Sequence, residues 1–82
     1  MKIIIFSAKS CAYCVSLKHW LDEKEVKYIN YNVDQSPMAA QTMVKLSGQM
    51  GVPFSIVEYE NGKIEKILGF DRQKFESVLA KA

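Results

Sequence analysis

The chain is poor in several residue types, and each shortage excludes a class of protein. Only two of its 82 residues are cysteine, Cys11 and Cys14. A secreted scaffold of this length held together by disulfides wants roughly four or more. There is one arginine, Arg72, and the lysines are scattered, so the net charge of +2 gathers into no basic stripe of the kind that tracks nucleic acid. The apolar run near the start, Ile3-Ile4-Ile5-Phe6, is short. A secretory signal needs about 7–15 apolar residues and a membrane helix about 20. No repeat, linker or low-complexity stretch interrupts the sequence. The expectation is one domain over residues 1–82 in a reducing cytoplasm, with neither nucleic acid nor membrane as partner. In that compartment a close cysteine pair is more often redox-active or metal-binding than structural.

What is present is ordinary globular chemistry: 49% hydrophobic and 24% charged residues, which excludes a disordered chain and a coiled coil. Lys2–Ser7 is a near-continuous β-branched run suited to a strand buried on both faces. Cys14, Leu17 and Leu21 share one helical face, which predicts a helix from about Ala12 to Lys24. Lys27–Val33 reads as a second strand, with Tyr28 and Asn30 facing away from Ile29, Tyr31 and Val33. Ser36-Pro37 opens a second helix with a cap and a proline at the first turn; Ala39, Met43 and Leu46 form its stripe and Gly48 stops it. Phe54–Tyr59 and Ile64–Leu68 flank Asn61-Gly62, a strong type I′ hairpin signal. Asp71 then caps a last helix whose inward face is Phe75, Val78 and Leu79.

In chain order these elements are β1-α1-β2-α2-β3-β4-α3. Strands separated by helices predict parallel crossovers, and the hairpin adds an antiparallel strand. The expected class is α/β, a mixed four-stranded sheet with helices on both faces. Trp20, Met38, Met43 and Met50 read as packing or loop residues, with Met50 close enough to the Pro53 loop to touch substrate. Glu58, Glu60, Lys63, Glu65 and Lys66 read as the solvated face of the hairpin.

The chemistry centres on Cys11-Ala12-Tyr13-Cys14, set between the first strand and the first helix. Residues three apart at a helix start lie within the roughly 4.4–6.8 Å Cα separation that a disulfide needs. Unpaired N–H groups and the helix dipole favour a negative sulfur on Cys11, which makes it the nucleophile. Cys14, one turn in on the apolar face, is placed to resolve a mixed disulfide. The same spacing serves zinc or iron–sulfur sites, but a closed zinc site wants about four ligands. The remaining candidate, His19, lies off the Cys14 face, so no metal is expected within one chain. A cluster shared between two chains stays open. Tyr13 cannot pack inward with Cys14 and is expected to line the site.

Over essentially its whole length the chain resembles the glutaredoxins and glutaredoxin-like redoxins of the thioredoxin superfamily. Three landmarks carry the resemblance, in order: Cys11-Ala12-Tyr13-Cys14, Gly51-Val52-Pro53 before the third strand, and Gly69-Phe70-Asp71 before the last helix. It implies a thioredoxin-like fold, a cis bond before Pro53, and a dithiol thiol–disulfide oxidoreductase acting on protein disulfides or glutathione-mixed disulfides. Glutathione is then a co-substrate, no cofactor is bound, and the protein is a monomer. The resemblance places the glutathione sulfur at Cys11 and its cysteinyl backbone on Val52 beside Pro53. The γ-glutamyl carboxylate falls on the N–H groups of Phe70 and Asp71 after Gly69, its ammonium on the Asp71 side chain, and the glycyl carboxylate on Gln49 and Lys9. The chain departs from the pattern at Ala12, where proline is common, and at Ala8, where lysine is common. Its Gly69-Phe70 pair is similar to redoxins that serve ribonucleotide reductase and take electrons from thioredoxin reductase. A further alternative is a carrier in which paired chains hold a 2Fe–2S cluster through Cys11 and glutathione.

Overall fold

Strand β1 (Lys2–Ser7) forms where the β-branched run places it, and strands on both sides cover its edges. The computed structural model describes residues 1–81. After β1 come α1 (Ala12–Glu23), β2 (Ile29–Asn32), α2 (Pro37–Ser47), β3 (Phe54–Glu58), β4 (Ile64–Leu68) and α3 (Arg72–Ala80). The four-stranded sheet has the order β2-β1-β3-β4. β2 lies parallel to β1, with Ile4 opposite Ile29, and β3 lies antiparallel to it, with Phe6 opposite Phe54. β4 returns antiparallel to β3.

Strand alternation sorts the core into two layers. Ile3, Ile5, Val57 and Ile67 meet Leu17 and Leu21 of α1 and Phe75 and Val78 of α3 on one face. Phe6, Phe54 and Ile56 meet Ala39 and Met43 of α2 on the other. The caps follow the sequence. Ser36 Oγ accepts the Ala39 N–H at 3.2 Å, Pro37 occupies the first turn, and Gly48 ends α2 at φ 73°. Asp71 Oδ1 accepts the Lys74 N–H at 3.1 Å.

Four expectations are corrected. β3 is antiparallel to β1 rather than parallel: α2 and its loop deliver the chain back to the end of the sheet where β2 left it, so β3 can only run the other way. The Asn61-Gly62 hairpin is not type I′. The Gly62 N–H donates to Tyr59 O at 2.9 Å, and only Gly62 of the pair has positive φ (88°), which is a three-residue loop closed by a left-handed glycine. Asn61 keeps a negative φ and its Oδ1 accepts the Lys63 N–H instead. Leu46 and Met38 are exposed, so the buried stripe of α2 is Ala39 and Met43 alone. Finally, α1 ends at Glu23, within a residue of its expected end, but β2 spans only Ile29–Asn32 rather than Lys27–Val33. The intervening chain stops the helix with Glu25 at φ 58°, its N–H donating to Asp22 O and the Val26 N–H to Leu21 O, both at 3.0 Å.

Candidate active site

β1 ends at Ser7, and the three residues that follow carry the chain over the top of the sheet to Cys11, the N-cap of α1. The Cys11 backbone is extended (φ −91°, ψ 110°), and its N–H donates to Ala8 O at 3.2 Å. Its sulfur therefore sits where a capping oxygen usually sits, and accepts the Cys14 N–H at 3.1 Å. In the thiol form the same sulfur donates to Val52 O at 3.7 Å. Cys11 is half-buried and reachable, whereas Cys14 is fully buried beside Leu17 and Leu21 on the inner face of α1. Burial pushes the Cys14 thiol up to about 11, and the hydrogen bond and charge of Cys11 add to it. The Ala8 backbone N–H and the Lys18 ammonium pull the other way and do not prevail. Two thiols three residues apart are thus made unequal first by depth and then by the hydrogen bond and charge of Cys11.

The loop that faces Cys11 is built from the end of α2. After Gly48, Ser47 Oγ donates to Met43 O at 2.7 Å and to Gln49 O at 2.9 Å. Gln49 turns its amide onto its own loop: Nε2 donates to Gly51 O at 3.1 Å and Oε1 accepts the Gly51 N–H. The Val52–Pro53 peptide is cis. The Gly69 N–H donates to Pro53 O at 2.8 Å, which ties the end of β4 to the start of β3 at the site. Gly69 has φ 72°, a left-handed turn that a side chain would strain. Phe70 then packs edge-on against Trp20 (5.8 Å between centroids) and Phe75 (6.5 Å), and Lys24 and Arg72 lie over the Trp20 ring.

The structure therefore brings together Cys11, Cys14, Val52, Pro53 and Gly69, with Phe70 and Asp71 following directly. Tyr13 is 71% exposed at the rim. The Lys9 N–H donates to Asp34 Oδ2 at 3.0 Å and its side chain is exposed. Gln49 and Asp71 are occupied, the first with its loop and the second with its helix. Met50 is 79% exposed in the loop. His19 lies on the surface 3.9 Å from Glu23, away from the cysteines. Among the described residues no group of three or more His, Cys, Asp or Glu side chains could hold a metal ion, and no helix is long and apolar enough to cross a membrane. Residue-by-residue reading missed one cluster near the site. Ser7, fully buried, meets Asn30 and Asn32 of β2, and the only signal for it was two asparagines at alternate strand positions.

The glutaredoxin family model matches residues 3–57, two thirds of the chain, including both cysteines and Pro53. The chain belongs to the glutaredoxin family. A glutaredoxin-like protein of the rubredoxin operon in Clostridium pasteurianum is 29% identical over 79 residues, spanning 96% of this chain and 99% of that one. Among solved structures, the glutaredoxin-like NrdH-redoxin of Escherichia coli, described by its thioredoxin-like activity profile, superposes with a TM-score of 0.75 at 21% identity. That match covers 94% of this chain and 93% of the other. A buckwheat glutaredoxin in complex with glutathione superposes at 0.68 with 25% identity, over 92% of this chain and 68% of the other. This glutaredoxin has the thioredoxin-like fold, and its membership supports thiol–disulfide redox chemistry at the cysteine pair.

Proposed function

We propose that this glutaredoxin is a dithiol oxidoreductase that reduces protein disulfides and glutathione-mixed disulfides, with glutathione as its reductant. The inequality of the two thiols carries the reading: Cys11 is reachable and capped by the helix, while Cys14 is buried and held protonated at neutral pH. Cys11 thiolate attacks one sulfur of the substrate disulfide; that bond breaks and the other sulfur leaves with the electron pair and takes up a proton. Cys14 then loses its proton and attacks Cys11 Sγ. A Cys11–Cys14 bond forms, and the second substrate sulfur leaves as thiolate. Two electrons have passed to the substrate, and two glutathione molecules restore the dithiol as one glutathione disulfide.

Several features favour glutathione as the donor. Val52 offers backbone beside Cys11, its carbonyl 3.7 Å from the sulfur, for a peptide to pair with. The start of α3 offers N–H groups to a carboxylate. A hollow lined by Ser47, Phe54, Lys66, Leu68, Asp71 and Lys74 opens at the start of α3, where the Lys66 ammonium and the Lys74 ammonium, the latter donating to Lys66 O at 3.0 Å, stand beside the Asp71 carboxylate. A second reading, reduction by thioredoxin reductase and electron delivery to ribonucleotide reductase, is favoured by the other end of the groove. There Gln49 is engaged by its own loop and Ala8 leaves no lysine for a glycyl carboxylate. Turnover of a glutathione-mixed disulfide with glutathione and its reductase, run beside turnover with thioredoxin reductase, separates the two. The Cys11→Ser protein should be inactive with either donor. Cys14→Ser should keep the attack and accumulate a mixed disulfide on Cys11. Efficient turnover with thioredoxin reductase and none with glutathione sinks the glutathione reading.

A further inference from the structure

The loop that faces Cys11 ties its one polar side chain to itself and presents an apolar one. Gln49 Nε2 donates to Gly51 O at 3.1 Å and to Ser47 Oγ at 3.2 Å, and Gln49 Oε1 accepts the Gly51 N–H. One side chain thus holds both backbone groups of Gly51, and a Cβ on Gly51 would stand 2.6 Å from that Oε1. Met50, between the two residues so joined, projects from the loop and is 79% exposed. Two residues on, Val52 O stands 3.7 Å from the Cys11 sulfur. On the α1 side of that contact Tyr13, in the first turn of the helix, is 71% exposed. Each of the two side chains is rooted within about 7 Å of a residue in the contact, the reach of two residues of chain.

Single exposed apolar residues are ordinary on a protein surface. These two differ in their surroundings. Neither residues 10–17 nor residues 46–57 include a charged side chain, in a chain that is 24% charged. The two segments that meet at the reactive sulfur therefore give a substrate no ion pair. What they offer at the rim is a phenol ring and a thioether, side chains of the types enriched in protein–protein contacts. We propose that Met50, with Tyr13, is a specificity-determining residue that receives an apolar side chain next to the cysteine of a protein disulfide, so that the substrates are uncharged, apolar-flanked cysteine segments. The inference rests on the reading of Cys11 as the attacking thiol in disulfide reduction, whichever donor restores the dithiol. A peptide that pairs with the Val52 backbone while its sulfur meets Cys11 has one flank running past Gly51 toward Met50. Gly51 adds no side chain of its own there, and a methionine, unbranched and polarizable, adapts to apolar groups of different shape. The chemistry is unchanged: Cys11 thiolate bonds to the sulfur of the flanked cysteine, the disulfide breaks, and the other sulfur leaves with the electron pair.

Two peptide disulfides of equal length and charge test this, one with leucine and one with serine on both sides of the cysteine. Each is reduced by the full chain in its dithiol form, and the second-order rate constants are compared as a ratio. The parent should prefer the leucine-flanked peptide by about four- to tenfold, since one methylene removed from water is worth about fourfold. Met50→Gln, similar in length but polar, should lower that ratio by about fourfold, and Met50→Leu should keep it. Tyr13→Ala, on the other element, should lower the same ratio. Urea unfolding checks that Met50→Gln and Met50→Leu fold like the parent, as an exposed position predicts. A parent ratio near one overturns the proposal. So does a Met50→Gln ratio equal to the parent's, or a Met50→Leu protein that behaves like Met50→Gln. A different failure is distinguishable: if the parent reduces neither peptide, or Cys11→Ser still reduces one, the reading of Cys11 as the attacking thiol is wrong.

Discussion

Burial of Cys14 should make the fold lose stability at alkaline pH by an amount traceable to one thiol. Its value is pushed up to about 11 from an ordinary 9.0, with burial as the main cause. Between those values the unfolded chain releases the proton while the folded chain keeps it, so the unfolded state binds fewer protons and stability falls as pH rises. The contribution is fully present below about pH 9 and is lost as pH rises through 11. Two units correspond to about 3 kcal/mol in full, of which about 2 kcal/mol is gone by about pH 10.5. Tyr28 and Tyr59 are also raised, by burial and then by Asp22 and Glu65, and push in the same direction. A difference measurement removes them. Urea unfolding of the parent and of Cys14→Ala at about pH 7.5 and about pH 10.5 isolates the thiol. Cys14→Ala should be the less stable protein at the lower pH, from lost packing, and should lose about 2 kcal/mol less than the parent on going to the higher one. Equal losses in the two proteins would refute the account of why Cys14 is held protonated.

Other substitutions test the local arguments. Glu25→Gly should raise stability by about 1 kcal/mol in denaturant unfolding, because a left-handed φ of 58° costs a side chain that glycine does not have. Asp71→Ala should lose about 1 kcal/mol of helix capping, while Asp71→Ser keeps the cap and removes the carboxylate. If Asp71 receives the glutathione ammonium, both variants raise the KM for glutathione; if it only caps, Asp71→Ser leaves KM unchanged. Tyr13→Ala, at a position 71% exposed, should change stability by less than about 0.5 kcal/mol and raise the KM for protein disulfides more than for small ones. Equal KM changes for both would remove Tyr13 from the docking rim.

Features set by neighbouring residues were legible in the sequence, and features set by distant ones were not. The bounds of β1, the Cys14-Leu17-Leu21 face, the Ser36-Pro37 start, the Gly48 stop and the Asp71 cap all rest on interactions within a turn or two, so composition and spacing reveal them. The direction of β3 depends on where eleven residues of α2 deposit the chain, which no local pattern records. The end of α1 was legible to within a residue, but the left-handed turn after it was not, because its residue is a glutamate; tertiary packing of Val26 against the core holds it there. At the site, the spacing of Cys11 and Cys14 located the chemistry, but the occupation of Gln49 by Gly51 depends on side-chain geometry. Ser7, Asn30 and Asn32 each read as ordinary polar residues until the parallel register sets Ser7 opposite Asn32 and Ile5 opposite Asn30.

The most direct test of the division of labour is timed alkylation of the reduced protein at neutral pH, with each cysteine read by peptide mass. Cys11 should be labelled first, and Cys14 should stay protected until the chain is unfolded. Labelling of Cys14 as fast as Cys11 in the folded protein would contradict the account.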